Sequence, residues 1–358
     1  MIVGCGSHQI DYKQFKMVPI SKRTSRDQPE SVAADNVGII LSYHRIADPG
    51  LDPWGLRVSP ENFENQLSVI RKFGAPVSLR DFVSSYQTGN VPKNAVVITF
   101  DDGYSDNFTE ALPLLKEFDI PSTIFVSSGF IGKPYFWWDA LETIFLRPNR
   151  LPRNLTLCLD SGQAEWNLGN AVHYTREQYE KDCISCKWRG EPGSRLRIYH
   201  EVYETLWLVP FRRRLEIVSE IVQWAGYDNC DFAVCIPLST SQIRKFDSED
   251  LITIGAHTVN HLPLDTVNGN ERNDEIFDCR EKLQGIISKL VDTFAYPHGK
   301  YDHESSKLLE KYDFLCACTT EESPVNKRCN PFLLPRFAAA NVGGPEFLNW
   351  LSECFAGR

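Results

Sequence analysis

The feature that most constrains the fold is an alternation between short, apolar runs and helical patterns. The runs are rich in branched residues, which is typical of strands buried on both faces of a sheet. Helical spacing follows most of them; residues 61–74, for example, place Phe63, Leu67, Ile70 and Phe73 on one helical face. Strands that alternate with helices favour a parallel sheet, open or closed into a barrel. The predicted strands are residues 37–44, 95–100, 122–128, 251–257, 292–297 and 314–319.

The alternation breaks between about residue 135 and residue 241. This segment is rich in Trp, Arg and Tyr and contains helical stretches, so we predict a largely helical insertion in one α/β domain that spans residues 37–358. Residues 1–36 are polar and lack periodicity, and we expect them to form a loosely attached tail. The VGCG at residues 3–6 lacks the glycine fingerprint of a dinucleotide-binding turn, so we expect no nucleotide site there.

Composition and charge argue against several classes of partner. The chain has 358 residues and a net charge of −9 without a run rich in Lys and Arg, so we expect no binding to nucleic acid or anionic lipid. No stretch approaches the ~18 apolar residues of a membrane span, and the N-terminus lacks the pattern of a secretory signal. The eleven cysteines form no regular disulfide framework, and the single C-x-x-C at Cys183 and Cys186 is a weak indication of structural zinc. We therefore expect a cytoplasmic protein, and the sequence predicts no oligomeric state.

Ionisable side chains cluster where the predicted strands end. In parallel α/β folds the active site lies at the carboxyl ends of the strands. Carboxylates and imidazoles in this position indicate metal-binding or acid–base chemistry. The ionisable residues at or near predicted strand ends are His44, Asp101, Asp102, His257, His261 and His298.

Asp102, His257 and His261 are the predicted ligands of one divalent metal ion. The spacing of four residues between the histidines would place both imidazoles on one face of a helical turn. Two imidazoles and a carboxylate suit Zn²⁺, or else Co²⁺ or Ni²⁺, and leave positions open for water and substrate. The alternative is a pair of hydrogen-bonded histidines in a turn, but their position opposite a paired-Asp strand end favours the metal site.

The adjacent carboxylates of Asp101 and Asp102 suit two different roles. Neighbouring strand residues point to opposite sides unless the strand turns, and Gly103 permits such a turn. One carboxylate can therefore bind the metal while the other takes a proton from the water that attacks a carbonyl carbon. A protonated imidazole can then deliver a proton to a leaving nitrogen. The alternative is an ordinary solvated turn or helix cap, because Asp-Asp-Gly is common in loops.

The chain resembles the polysaccharide deacetylases, the NodB-type carbohydrate esterase family 4. The pairing of TFDDGY with H-T-x-x-H, in that order, is highly specific, and the resemblance covers roughly residues 37–134 and 246–345. It implies a distorted (β/α) barrel of about seven parallel strands that removes N-acyl groups, usually acetyl, from amino sugars. The motifs are SYHRI (42–46), TFDDGY (99–104), HTVNH (257–261), FAYPHG (294–299) and LPRF (334–337).

The resemblance also implies roles for single residues. Asp101 matches the catalytic base, Asp102 matches the metal-binding aspartate, and His257 and His261 match the metal-binding imidazoles. The residues predicted to contact substrate are Tyr104, Trp138, Asp139, Tyr296, Pro297 and His298. Trp137, Trp138 and Asp139 lie in the insertion, which has no counterpart in the minimal family domain, and we predict them at the sugar site because aromatic faces stack well on sugar rings. The alternative is that they pack the insertion against the barrel.

Two departures from the family pattern concern the catalytic residues. Many members carry an arginine that orients the base in the motif where this chain has Ala295. Arg336 is the candidate replacement, and the alternative is an ordinary buried ion pair. Many members also have a late catalytic histidine, but no histidine follows His303 here. His44 resembles the early histidine of the exopolysaccharide-deacetylase branch and is the predicted acid, with His298 as the competing candidate.

The sequence thus predicts a metal-dependent hydrolase that removes an N-acetyl or other N-acyl group from an amino sugar. The substrate would be a glycan, a nucleotide sugar or a lipid-linked intermediate, in polysaccharide biosynthesis. One alternative is a deformylase or another amidase at the same metal site. Another is an inactive relative that only binds carbohydrate.

Overall fold

The computed structural model describes residues 36–185, 190–228, 232 and 236–357. All of the predicted tail except Asn36 lies outside the described residues, and so does Cys186 of the C-x-x-C pair. The tail therefore stays a prediction, and the weak indication of structural zinc at the C-x-x-C stays untested.

The strands include every strand predicted from the sequence. Within the described ranges they are β1 (Asn36–Tyr43), β2 (Arg45–Ile46), β3 (Arg57–Val58), β4 (Ala75–Pro76), β5 (Ala95–Phe100), β6 (Ser122–Val126), β7 (Asn149–Arg150), β8 (Asn154–Leu159), β9 (Gly162–Asn167), β10 (His173–Tyr174), β11 (Ile252–Ala256), β12 (Thr293–Ala295), β13 (Cys316–Cys318), β14 (Val325–Asn326) and β15 (Phe337–Ala338).

Helices cover the outer face of the sheet and build much of the insertion. Several begin at a serine or asparagine whose side chain accepts a backbone N–H, as Ser59 does at α1 and Ser239 at α8. Phe73, predicted on the inner face of α1, lies at the helix end and is 44% exposed. The helices are α1 (Pro60–Phe73), α2 (Leu79–Thr88), α3 (Leu112–Glu117), α4 (Trp137–Leu146), α5 (Arg176–Ser185), α6 (Arg195–Trp207), α7 (Phe211–Ala225), α8 (Thr240–Asp247), α9 (Gly269–Gln284), α10 (His303–Lys311) and α11 (Gly344–Ala356).

The main sheet is mostly parallel and curls into a distorted barrel. Its strand order is β13-β12-β11-β6-β5-β1-β14, with β15 paired to β1 and β4 to β5. Leu334 exchanges backbone hydrogen bonds with Ala317 and Thr319 at β13, and β15, just beyond it, pairs in parallel with β1. The segment that contains Leu334 and β15 thus connects β13, at one edge of the sheet, with β1, near the other edge. The predicted barrel of about seven parallel strands is confirmed.

Alternate residues of β5 face opposite sides of the sheet, and this alternation places the first site residue. Val96 and Ile98 lie in the apolar cluster beneath the outer helices, whereas Val97 lies in a second cluster with residues of β12 and β13. Because side chains alternate along a strand, Thr99 and Asp101 continue the face of Val97, inside the barrel.

The insertion has an apolar core of its own. It contains α4 to α7, but also a hairpin of β8 and β9 and the short pair β7–β10, which were not among the predicted strands. Its core includes Phe136, Trp137 and Trp138 and joins the barrel through Tyr104 and Phe130. The boundaries predicted for the insertion stay a prediction.

Candidate active site

Several parallel strands end side by side and bring the predicted site residues together. Tyr43 of β1 is in register with Phe100 of β5, and Val126 of β6 with Ala256 of β11. The next residue along β5, Asp101, donates its backbone N–H to the Tyr43 carbonyl, at 2.9 Å. Since parallel strands share one carboxyl edge, residues that are distant in sequence meet there.

Asp102, His257 and His261 converge on a single point. The Nε2 atoms of His261 and His257 lie 3.1 and 3.4 Å from Asp102 Oδ1, and the three ligand atoms all lie within 4.8 Å of one another. Asp102 and His257 are buried, and Asp102 Oδ1 has no hydrogen-bond partner among the described residues. A buried carboxylate oxygen without a donor is costly unless a cation occupies the space before it, so this arrangement fits a divalent ion.

A backbone carbonyl orients the His257 ring. Its Nδ1 lies 2.7 Å from the carbonyl oxygen of Ala295, at the end of β12. A carbonyl can only accept, so Nδ1 carries the proton and Nε2 keeps its lone pair directed towards Asp102. This carbonyl–imidazole pairing is typical of metal-binding histidines in proteins.

The helical turn predicted for residues 257–261 is wrong. These residues form an irregular loop in which Thr258 and His261 have φ values of 62° and 58°. The loop is held by Glu275 of α9, which is 3% exposed and accepts from the backbone N–H and the side-chain amide of Asn260 at 2.8 and 2.6 Å. Ser127 also donates to the His257 carbonyl, at 2.9 Å. The two imidazoles meet because this loop is anchored, with their ring centroids 5.0 Å apart.

Arg336 holds Asp101 in a bidentate ion pair. Its Nη1 and Nη2 donate to the two carboxylate oxygens at 2.7 and 2.6 Å. Nη1 also donates to Thr99 Oγ1, at 3.0 Å, and Nε donates to the Thr319 carbonyl, at 2.9 Å. The guanidinium lies 5.7 Å above the ring centre of Phe125, and its side chain is 0% exposed. The structure thus brings Arg336 to the carboxylate that the sequence identified as the base.

The ion pair keeps Asp101 ionised although it is buried. Burial alone raises the pKa of this carboxyl, but the charge of Arg336 and its hydrogen bonds outweigh burial, so the pKa lies below its ordinary value. Asp101 is therefore a carboxylate at neutral pH and can accept a proton.

His44 and His298 both lie near Asp102. His44 follows β1, is half-buried and lies close enough that its charge would lower the pKa of both Asp101 and Asp102. The ring of His298 lies 4.5 Å from that of His261, and its Nε2 has no hydrogen-bond partner among the described residues. Both candidates for the acid are thus near the site, and the choice between them stays a prediction.

Most of the residues predicted to contact substrate are buried. The exposed fractions are 0% for Tyr104, 8% for Trp138, 4% for Asp139 and 0% for Tyr296, and Pro297 is also buried. Trp138 donates its indole N–H to the Tyr104 hydroxyl, at 2.8 Å, and its ring lies 5.0 Å from that of His261. These contacts favour the alternative, in which Trp138 packs the insertion against the barrel behind the metal ligands.

Other aromatic residues of the insertion lie nearer the surface and were missed from the sequence. Tyr203 and Trp207 of α6 are half-buried, and the Trp207 ring lies 4.7 Å from the His298 ring. Trp54, also half-buried, lies 4.6 Å from Tyr203. Their spacing of four residues along α6 could have indicated that Tyr203 and Trp207 share one helical face.

Fold and site together define an α/β barrel protein with a candidate divalent-metal centre beside a buried, arginine-bound carboxylate. The family model described as polysaccharide deacetylase matches residues 88–182 and 219–317, more than half of the chain. The chain belongs to the polysaccharide deacetylase family.

Two curated relatives of this chain are similar to it over different lengths. YxkH of Bacillus subtilis (strain 168), which is assigned as a polysaccharide deacetylase, is 21% identical to this chain over 299 residues. The match covers 83% of this chain and 69% of YxkH. The poly-β-1,6-N-acetyl-D-glucosamine N-deacetylase of Staphylococcus aureus (strain MSSA476) is 27% identical over 124 residues, 31% of this chain. That match spans only 43% of the staphylococcal protein.

Solved structures show the same fold at low sequence identity. IcaB from Ammonifex degensii matches with a TM-score of 0.54 and 17% identity, over 88% of this chain and 97% of IcaB. The Streptococcus pyogenes deacetylase PplD, solved in complex with acetate, matches with a TM-score of 0.51 and 17% identity, over 87% of this chain and 96% of PplD. Among the described residues, every helix is too short or too polar to cross a membrane. The predicted cytoplasmic location stays a prediction.

Proposed function

We propose that the protein is a metal-dependent N-deacetylase that acts on an amino sugar within a glycan. The observation that carries this proposal is the pairing of the converging triad Asp102, His257 and His261 with the buried carboxylate of Asp101. The triad suits a divalent ion and the carboxylate suits a general base, and Asp101 directly precedes the ligand Asp102 in the chain.

The donor set supports one divalent ion, with Zn²⁺ as the first candidate and Co²⁺ or Ni²⁺ as alternatives. His257 and His261 would supply Nε2 atoms and Asp102 a carboxylate oxygen. An ion held there would act as a Lewis acid that polarises the acyl carbonyl and makes water more acidic.

The roles of the other residues follow from charge and position. Asp101 accepts the proton of the attacking water, and Arg336 keeps the carboxylate ionised and fixes its two oxygens. Proton transfer to the leaving amine needs a second group, and we assign it to His44, which lies beside both aspartates. His298 is the competing acid, and as a substrate contact it would offer its unpaired Nε2 to the sugar or its acyl group.

The substrate class rests on the relatives. The staphylococcal relative is named for poly-β-1,6-N-acetyl-D-glucosamine, so N-acetylglucosamine glycans are the first substrates to examine. Nucleotide sugars and lipid-linked sugars are the alternatives. A formyl or another acyl group is the alternative to acetyl, because the same residues could hydrolyse it.

Elemental analysis and acetate release test the proposal together. We expect about one metal ion per chain and release of acetate from N-acetylglucosamine oligosaccharides. Asp101→Asn should keep the metal and abolish turnover, because it removes the base and leaves all three ligands. One metal without acetate release would point to another acyl group or glycan. Absence of metal even after addition of Zn²⁺ would overturn the enzymatic proposal and leave a carbohydrate-binding relative.

A further inference from the structure

One face of α6 carries a stripe of aromatic side chains that becomes more exposed towards the active site. Tyr199, Tyr203 and Trp207 are spaced four residues apart and therefore lie on the same helical face. Tyr199 is 0% exposed, whereas Tyr203 and Trp207 are half-buried. The rings of Tyr203 and Trp207 are nearly parallel, at 22°, with their centres 6.0 Å apart.

The half-buried end of the stripe is joined to the candidate metal centre through the ring of His298. The Trp207 ring lies 4.7 Å from His298, and the His298 ring lies 4.5 Å from the predicted ligand His261. Tyr203 stacks on Trp137, at 5.0 Å and 24°.

Arg214 of α7 fixes the stripe in place. Its guanidinium lies 4.8 Å from the ring centre of Trp137 and 5.6 Å from that of Trp207. Its Nη2 donates to the carbonyls of Trp207 and Val209, at 2.9 and 3.0 Å. Aromatic faces held by cation–π contacts lose little conformational entropy when a ligand stacks on them. At 6% exposure, Arg214 is engaged within the protein and poorly placed to bind the diphosphate of a nucleotide sugar.

The stripe lies outside the segments that match the family model. Residues 183–218 separate the two matched segments, and they include Tyr203 and Trp207. The stripe therefore lies outside the part of the chain by which the family is recognised, and it suits a role in choosing substrates.

We propose that Tyr203 and Trp207 form a platform for the sugar ring next to the one that loses its acyl group. A pyranose ring presents C–H bonds on its faces, and these pack well on flat aromatic rings. A ring bound at the platform would be joined to the reacting sugar, so the protein acts on oligosaccharides in preference to monosaccharide derivatives. This inference rests on the proposed function and deepens it by naming the substrate class.

Removal of the Trp207 indole tests the platform, with a second tryptophan of the insertion as the control. Trp166 of β9 is also half-buried, and it lies by Arg197 and Glu201, on the face of α6 opposite the stripe. The substrates are N-acetylglucosamine and its β-1,6-linked pentasaccharide, with acetate release measured for the metal-loaded wild type, Trp207→Ala, Trp207→Phe and Trp166→Ala.

We expect the wild type to prefer the pentasaccharide, and Trp207→Ala to lower the ratio of pentasaccharide to monosaccharide kcat/KM by roughly tenfold, mainly through KM. Trp207→Phe should restore part of the ratio, because a smaller ring still stacks. Trp166→Ala should leave the ratio unchanged. An unchanged ratio in Trp207→Ala, or an equal fall in Trp166→Ala, would overturn the platform.

Binding measurements separate this inference from the proposed function. Titration calorimetry with Asp101→Asn, which cannot turn over substrate under the proposed mechanism, should show pentasaccharide binding that weakens when Trp207→Ala is added. If the wild type releases no acetate but this binding difference remains, the deacetylase proposal fails and the platform stands. If the pentasaccharide does not bind, or binds equally without the indole, the platform is refuted.

Discussion

The ion pair between Arg336 and Asp101 gives the most direct test of the site. The pair is buried and bidentate, with N–O distances of 2.7 and 2.6 Å, and the Arg336 side chain is 0% exposed. Arg336→Met would leave the Asp101 charge buried without its partner, which typically costs about 3–5 kcal/mol. Whole domains are stable by only about 5–15 kcal/mol. The free energy of unfolding, measured with denaturant at neutral pH, should therefore fall by a large fraction in Arg336→Met.

The same variant should change the pH dependence of turnover. With Arg336 present, the pKa of Asp101 lies below its ordinary value, so the base is ionised throughout the neutral range. Removal of the guanidinium leaves burial, which raises this pKa, and the acid limb of the kcat/KM profile should move to higher pH. In the wild type, the pKa of Asp101 in the folded state lies below the unfolded value of about 3.9. The ion pair therefore stabilises the fold fully at pH values above the unfolded pKa. This contribution is lost as the pH falls through the folded-state pKa.

Two further variants separate the ion pair from general destabilisation. Arg336→Lys keeps the charge but loses the planar fork, so we expect smaller effects in the same directions, and it gives a readout if Arg336→Met does not fold. Arg195→Met removes a guanidinium that is 2% exposed and binds carbonyl and amide oxygens instead of a carboxylate. It should lower stability without moving the acid limb. An acid limb that stays in place in both Arg336 variants, or that moves equally in Arg195→Met, would refute the role assigned to Arg336.

Three other substitutions test the metal centre, the acid and the turn at Gly103. His257→Ala should reduce the metal content well below one ion per chain by elemental analysis, and unchanged stoichiometry would contradict the assigned ligands. His44→Ala should slow turnover by about 10²–10⁴-fold with the metal retained, as is typical for loss of a general acid, and wild-type rates would move this role to His298. Gly103 has φ +86°, and a Cβ there would lie 3.0 Å from the side chain of Val126, at the end of the neighbouring strand. Gly103→Ala should therefore lower the free energy of unfolding, measured by urea titration, by about 1–2 kcal/mol. An unchanged midpoint would mean that the turn tolerates a side chain.

The central sheet could be predicted closely because its strands are buried on both faces. A run such as residues 95–100 is apolar at nearly every position, and few other arrangements bury it completely. The insertion was harder to predict. Residues 154–167 form a hairpin with an alternating buried and exposed pattern along β8. The helical stretches elsewhere in the segment favoured a helical interpretation of the whole insertion.

The residues of the site could be predicted better than the contacts that hold them. Asp101 and His257 follow buried parallel strands, and such strands share one carboxyl edge, so proximity could be inferred without coordinates. The contact between Glu275 and Asn260 joins a helix to a loop, and neither the spacing nor the composition of the sequence indicates it. Trp138 was predicted as a substrate contact because an exposed and a packed indole cannot be distinguished by residue type.

Backbone strain explains why sequence patterns do not predict the geometry of this site. Four residues other than glycine in this site have positive φ: Asp102 at 71°, Thr258 at 62°, His261 at 58° and His298 at 56°. Each such conformation costs roughly 1–2 kcal/mol for an L-residue, and a β-branched residue such as Thr258 is a particularly unusual occupant. Local propensity therefore predicts other conformations, such as the helical turn that we expected for residues 257–261. The strained conformations persist because the strand ends and anchoring hydrogen bonds around them fix the loops, and the same constraint makes the carboxylate and the two imidazoles converge. A site held in this way should keep the spacing of its ligands when the metal is removed, which crystal structures of the protein with and without metal would measure.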